Sequence, residues 1–263
     1  MATVREIYKA LEAYAPPSLK MDFDNVGFLV GFSDAPVEKV LVCLDITDET
    51  VREAADMKAQ LIVSHHPLFF SLKRVTDEDR TGRKITALLS GGISAVCMHT
   101  NLDAADGGVN DALAEALGLG NITLLNEEIQ GADGRKYSVG RVGYLEKPAA
   151  LGEFMQRVKE SLGTRGLRYH DAGREVYKVG LVSGSGGDYL KDALRHGCDT
   201  FVTADIKYDV FLEAAEAGIN LIDADHFCTE NVVVPKVAGR LRALFPSLQV
   251  EISRRQGQAA WFF

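Results

Sequence analysis

The sequence predicts an α/β fold on largely parallel sheet, laid out as two α/β units. Three observations lead there. Apolar runs of about four to seven residues alternate with amphipathic helical stretches, as expected of strands joined by helical crossovers. The pattern weakens between Leu119 and Asp133 and then restarts. A last helix and strand follow this second stretch, which lets the chain return to where it began. The first unit is therefore placed at 1–125 plus 227–263, and the second at 126–226.

Taken in order, residues 1–17 read as an amphipathic helix closed by Pro16-Pro17, because proline is not tolerated in a helix interior. Val37–Leu44 is predicted as a strand. The helix after it is predicted to open between Thr47 and Thr50, where Thr50-Val51-Arg52-Glu53 fits a capping box. Leu61–Val63 is a strand entering Ser64-His65-His66-Pro67, and Gly82–Ser90 is a helix stopped by Gly91-Gly92. Ile93–Met98 is a strand entering His99-Thr100-Asn101-Leu102-Asp103, and Gly108–Leu117 is a helix. In the second unit, Ser138–Leu145, Glu175–Val182, Thr200–Thr203 and Ile219–Ile222 are predicted strands. Helices are expected at Ala150–Leu162, after Ser183–Gly187 and after Lys207. Glu230–Phe245 is predicted as the final helix and Gln249–Ile252 as a closing strand.

The composition is that of a globular chain: 263 residues, 46% hydrophobic and 25% charged, long enough to bury a substantial core. A formal net charge of -8 with no basic run longer than a pair such as Arg254-Arg255 disfavours binding nucleic acid through phosphate neutralisation. Neither a signal peptide nor an apolar run of about 18 residues is present, so a cytoplasmic location is expected. The four cysteines, Cys43, Cys97, Cys198 and Cys228, have no CxxC spacing and read as buried, reduced thiols. Cys228 lies between His226 and Glu230, which leaves an approach to a metal open.

The chemistry gathers at strand ends. In open α/β sheets, ligands bind beyond the carboxyl ends of the strands. Here four apolar runs end in donor or acidic residues: LIVS-HH, AVCM-HTNLD, FVT-AD and INLIDAD-H. In one parallel sheet those ends would share an edge. His65 and His66 are consecutive, so both reach one site only if the chain bends at them. His99 and Asp103 are four apart, as are His226 and Glu230, a spacing that puts each pair on one helix face. Imidazole and carboxylate donors suit Zn²⁺, Mn²⁺, Fe²⁺, Ni²⁺ or Co²⁺. Two ions about 3.5–4 Å apart would polarise a substrate and activate water. The spacing leaves a metal site and independent structural histidines both open. His170 and His196 read as surface residues. The loop Ser183-Gly184-Ser185-Gly186-Gly187-Asp188 suits a phosphate at a helix start or close strand–helix packing, and matches neither GxGxxG nor a Walker sequence. Asp24-Asn25-Val26-Gly27 reads as a turn whose polar pair can reach the edge of the site.

The segments FDNVGFLVG from Phe23, SHHPLFF from Ser64, HTNLDAADGGVNDALAEALGL from His99, SGSGGD and LIDADHFCTE from Leu221 together resemble the YbgI-like proteins, the GTP cyclohydrolase 1 type 2 homologues. The resemblance runs in order from about residue 5 to about residue 253. It implies two interlinked three-layer α/β/α units with mixed, largely parallel sheets, and a homohexamer built as a toroidal trimer of dimers. It also implies two divalent metal ions per chain held by His65, His66, Asp103, His226 and Glu230, with His99 close by as a proton shuttle. Asp103 and Glu230 are then the carboxylates shared by, or adjacent to, both ions. This chain departs from the usual pattern at Ala204, Asp209 and Asp225, and its tail QGQAAWFF suits packing at an interface rather than chemistry.

Three functions follow in order of preference. The first is a metal-dependent hydrolase of a small substrate, a nucleotide among the candidates, with ring opening of GTP as the reaction the family name implies. The second is a non-enzymatic metal-binding, metal-delivery or regulatory protein. The third is a structural metal site, ranked last because such sites are usually closed and rich in thiolate.

Overall fold

The structure is a computed structural model that describes residues 1–126 and 128–263. It is a mixed α/β protein with two units, Met1–Leu102 with Val234–Gly257, and Asp103–Val233 with Gln258–Phe263. The chain thus leaves the first unit after Leu102, returns to it at Val234 and ends in the second from Gln258.

The first unit holds a five-stranded sheet in the order Gln249–Ile252, Lys39–Cys43, Leu61–Ser64, Ser94–Cys97 and Gly27–Val30. The first four strands run parallel and only Gly27–Val30 is antiparallel. Alternate strand residues point to opposite faces, and both faces are buried. Leu41, Ile62 and Ala95 pack with Val51, Ala54, Ile85 and Leu88 from the helices Asp48–Asp56 and Arg80–Ser90. Val40, Val42, Leu61, Val63 and Val96 on the other face are equally inaccessible, and the helix Val234–Leu244 lies against Lys39–Cys43 and Gln249–Ile252. Burial on both faces is why these strands read as unbroken apolar runs.

The second unit has six strands, ordered Arg168–His170, Asn220–Asp223, Thr200–Thr203, Val176–Leu181, Arg141–Ala149 and Gly120–Leu124. Here the expectation of largely parallel sheet holds only at the centre. Val176–Leu181, Thr200–Thr203 and Asn220–Asp223 are parallel, and every other pairing is antiparallel. Each parallel pair is joined by one crossover that carries a helix, as a parallel connection requires. Val179, Leu181, Val202 and Ile222 pack on Leu151, Phe154 and Val158 and on Leu113 and Ala114. Val142, Phe201 and Leu221 face Leu190, Ala193 and Ala214. Each unit is therefore a sheet with helices on both faces.

Several boundaries move. The helix Val109–Ala116 packs in the second core, so residues 103–125 belong with the second unit rather than the first. So do 227–233 and the tail from Gln258. The helix after Lys39–Cys43 starts at Asp48, and its capping box joins Thr47 to Thr50, three residues before the predicted one. Thr50 closes that box because its hydroxyl oxygen accepts from the Thr47 amide at 2.7 Å. The single final helix is in fact His226–Glu230, a 3₁₀ turn Asn231–Val233 and Val234–Leu244. Pro235 has no N–H to donate and fits only the first turn of a helix, so the helical segment must restart just before it. The predicted strand Ser138–Leu145 is Arg141–Ala149. All four cysteines are buried and free. Among the described residues, no helix is long and apolar enough to cross a membrane.

Phe201 has no solvent exposure at all. Phe201→Ala is expected to lower stability by about 3–5 kcal/mol, read as a lower midpoint in urea unfolding followed by circular dichroism.

Candidate metal centre

The six predicted site residues divide equally, His65, His66 and His99 in the first unit and Asp103, His226 and Glu230 in the second. The donor-bearing strand ends therefore belong to two sheets rather than to the single edge the sequence suggested.

In the first unit, the neighbouring parallel strands Lys39–Cys43, Leu61–Ser64 and Ser94–Cys97 run out at Asp45, His65-His66 and Met98-His99. The chain bends at the tandem histidines, as convergence requires. Ser64 donates its hydroxyl to the carbonyl of His66 at 2.8 Å, and the amides of His65 and His66 donate to the carbonyls of Cys43 and Leu44. The two rings lie 5.0 Å apart, and His99 lies 5.2 Å from one and 5.4 Å from the other. One ring nitrogen from each of the three comes within 4.8 Å of the others, close enough to share a cation.

What orients these rings is their other nitrogen. His65 Nδ1 donates to the carbonyl of Met98 at 2.9 Å, His66 Nδ1 to Asp45 at 2.8 Å and His99 Nδ1 to Asp24 at 2.9 Å. A carbonyl or carboxylate only accepts, so Nδ1 bears a proton and, in the neutral ring, the lone pair is left on Nε2. Asp24 is itself buried and accepts from the amide of Thr100 at 3.0 Å and from its hydroxyl at 2.5 Å. Burial pushes this carboxyl up, but hydrogen bonds from His99 and Thr100 outweigh it and bring Asp24 to about 2. It therefore stays ionised against His99.

In the second unit, Thr200–Thr203 and Asn220–Asp223 run parallel and deliver Asp205 and Asp225-His226. His226 Nδ1 donates to Asp205 at 2.7 Å, so a fourth imidazole repeats the arrangement. Its Nε2 is 3.2 Å from a Glu230 oxygen one helical turn on. Burial disfavours a protonated His226, yet Glu230 and then Asp205 outweigh it and raise it to about 9. An imidazole nitrogen and a buried carboxylate at this separation can equally be two ligands of one cation.

The glycine loop assembles the carboxylates. Ser183 donates its hydroxyl to Asp103 at 3.3 Å and its amide to Asn110 at 2.7 Å. The Gly184 amide donates to the hydroxyl of Thr229, beside Glu230, and its carbonyl accepts from Thr203. A Cβ on Gly184 would fall 2.1 Å from Glu230 Oε1, and one on Gly186 2.5 Å from Thr203 Oγ1. Of the two uses open to this loop, the structure supports close packing.

Asp225, Asp209 and Ala204 each have a local setting. Asp225 caps the helix His226–Glu230 by accepting from the Cys228 amide at 3.1 Å, which accounts for its carboxylate without a metal. Asp209 is exposed in the first turn of the helix Tyr208–Ala217, and Ala204 is buried with its amide on the Gly184 carbonyl. Cys228 is held as a thiol, pushed up to about 12 by burial and then by Asp225, and it joins no ligating group among the described residues. His170 is half-buried and His196 exposed. The tail folds onto its own unit, with Trp261 3.6 Å beneath the Arg165 guanidinium and Gln258 buried. Sequence reasoning missed Asp45, which follows LVCL as directly as His65 follows LIVS, and it placed Asp24 in a turn able to reach the edge of the site without naming His99 as its partner.

A profile of the family Duf34/NIF3 (NGG1p interacting factor 3) matches residues 2–258. The chain belongs to the Duf34/NIF3 family. It is 36% identical over 241 residues to the GTP cyclohydrolase 1 type 2 homolog of Clostridium perfringens, covering 91% of each chain. It is 34% identical over 257 residues to that of Clostridium acetobutylicum, covering 95% of each. A Bacillus cereus protein related to NIF3 superposes with a TM-score of 0.92 at 25% identity, covering 100% of this chain and 99% of the other. The YbgI structure, at 22% identity and a TM-score of 0.84, shares the fold.

Gly184 has a φ of +59° and Glu230 fills the space its side chain would need. Gly184→Ala is expected to displace Glu230 and lower the metal bound per chain, measured by elemental analysis, with the circular dichroism spectrum retained.

Proposed function

We propose that this Duf34/NIF3 protein is a dinuclear metal-dependent hydrolase of a small substrate, with His65, His66, Asp103, His226 and Glu230 as ligands. The observation that carries this reading is the uniform anchoring of four imidazoles through Nδ1. Ligating histidines are held in this way, because the outer acceptor sets the tautomer and raises the basicity of Nε2. A donor set of imidazole and carboxylate without thiolate fits Zn, Mn, Fe, Ni or Co and leaves positions open to substrate. Two such ions would supply Lewis-acid polarisation of an electrophilic centre and ionisation of a water near neutral pH.

The chain's own groups do the rest. Asp103 and Glu230 bring negative charge that offsets that of the cations, and Ser183 orients the first of them. His99, held at Nδ1 by ionised Asp24, takes up and returns a proton at Nε2, while the carboxylate stabilises the imidazolium that forms. The names of the relatives make GTP the first substrate to test, with opening of the purine ring and release of formate as the reaction. We also propose the hexameric assembly implied by the family, for which light scattering is expected to give six chains.

Reconstituted protein is expected to bind two divalent ions per chain by elemental analysis, and Glu230→Gln to lose at least one. Protein that takes up no metal overturns the reading. His99→Gln is expected to keep both ions and lose about 10²–10⁴ in turnover, followed as formate released from GTP. Loss of metal in that variant would instead make His99 a ligand.

A further inference from the structure

Phe23 and Phe70 are 65% and 55% exposed. Their rings touch, with centroids 6.1 Å apart and planes tilted by 51°. The Phe70 ring lies 5.8 Å from the ring of His99, so the aromatic pair adjoins the three anchored imidazoles of the first unit. Adjacent exposed apolar rings beside chemically active side chains form a candidate binding surface.

The pair is held in place by the network that orients His99. Asp24, next to Phe23, accepts from His99 Nδ1 at 2.9 Å and from the Asn25 amide at 2.7 Å. Asn25 donates its side-chain amide to the carbonyl of Phe69 at 2.9 Å, which ties the loop carrying Phe70 to the loop carrying Phe23. Two consecutive polar residues thus tie together the two loops that carry the rings and the imidazole beside them. A solvated turn would need none of these connections.

We propose that Phe23 and Phe70 form a stacking platform for the planar ring of a heteroaromatic substrate, held in register with His99 by Asp24 and Asn25. The rings are too close for a third to slide between them, and with their planes tilted by 51° the substrate ring stacks on the face of one and meets the other at an angle. Stacked there, an electrophilic ring carbon comes to the edge nearest His99. Two phenyl groups offer far less than the roughly 800 Å² per partner of a stable protein interface, but match the face of a single mono- or bicyclic heterocycle. The platform is apolar and tests flatness, so it leaves phosphate recognition to other groups. It rests on the hydrolase reading above, whose metal requirement is scored separately.

The test uses the full-length, metal-loaded protein with guanosine as the ring probe and ribose 5-phosphate as the probe without a ring, both by calorimetry. Phe23→Ala and Phe70→Ala are each expected to weaken guanosine about ten-fold, the size of a base–aromatic stacking contact, and to leave ribose 5-phosphate unchanged. Phe70→Leu should weaken guanosine similarly and Phe70→Tyr should retain it. Metal content is measured on every sample, so failure to take up metal is charged to the hydrolase reading alone. With metal in place, equal guanosine binding by parent and double alanine variant overturns the platform, as does no binding by the parent. A smaller assembly on Phe70→Ala, seen by light scattering, makes the pair an interface and overturns it too.

Discussion

Four imidazoles pinned at Nδ1 are the feature on which the candidate chemistry depends. A histidine side chain has two rotatable bonds and two chemically distinct nitrogens, so an unrestrained ring presents a mixture of orientations and tautomers. Here Met98, Asp45, Asp24 and Asp205 remove that freedom. Each acceptor lies in a loop that follows a strand or, for Asp24, leads into one. The sheets thus position the acceptors, and the acceptors position the rings. Buried carboxylates are tolerable at Asp24 only because four donors reach it, from His99, Thr100 and Asn25.

A second constraint is close approach. Gly184 brings backbone to within a missing side chain of Glu230, and Gly186 does the same at Thr203. Asp205 and Asp225 have positive φ values of 52° and 71°. Non-glycine residues held there cost of order 1–3 kcal/mol unless the surroundings compensate. The compensation is visible in each case. Asp205 thereby reaches His226, and Asp225 thereby caps the helix that carries it. Of the three non-glycine residues described with positive φ in the second unit, Asp205 and Asp225 are the two that orient and support His226, and Asn121 is the third.

Much of this was legible in the residue order. Period-two burial on both faces produces unbroken apolar runs, so the central strands of both sheets were readable from LVCL, LIVS, SAVC and TFVT. Their termination in histidines and acids identified the donor set. Less legible were features that depend on partners far along the chain. The antiparallel pairings of the second sheet join Arg141–Ala149 to Gly120–Leu124 and Val176–Leu181, and Arg168–His170 to Asn220–Asp223, and strand direction leaves no local periodic signature. The unit boundary at 102/103 is set by Val109–Ala116 packing into the second core, a fact about its neighbours and not about its own pattern. Asp24 is 75 positions from His99, and no local pattern connects them.

By itself, then, the sequence determined the alternation of buried strands and amphipathic helices, and the identity of the donors at their ends, because side-chain period and donor chemistry are local properties. Tertiary structure alone decided which nitrogen of each imidazole faces outward and which carboxylate is an anchor, a cap or a candidate ligand. It also decided that Phe23 and Phe70 stand together beside His99. Those outcomes depend on hydrogen bonds and ring contacts between residues distant in the chain, and only the folded backbone brings such residues to within three to six ångströms of one another.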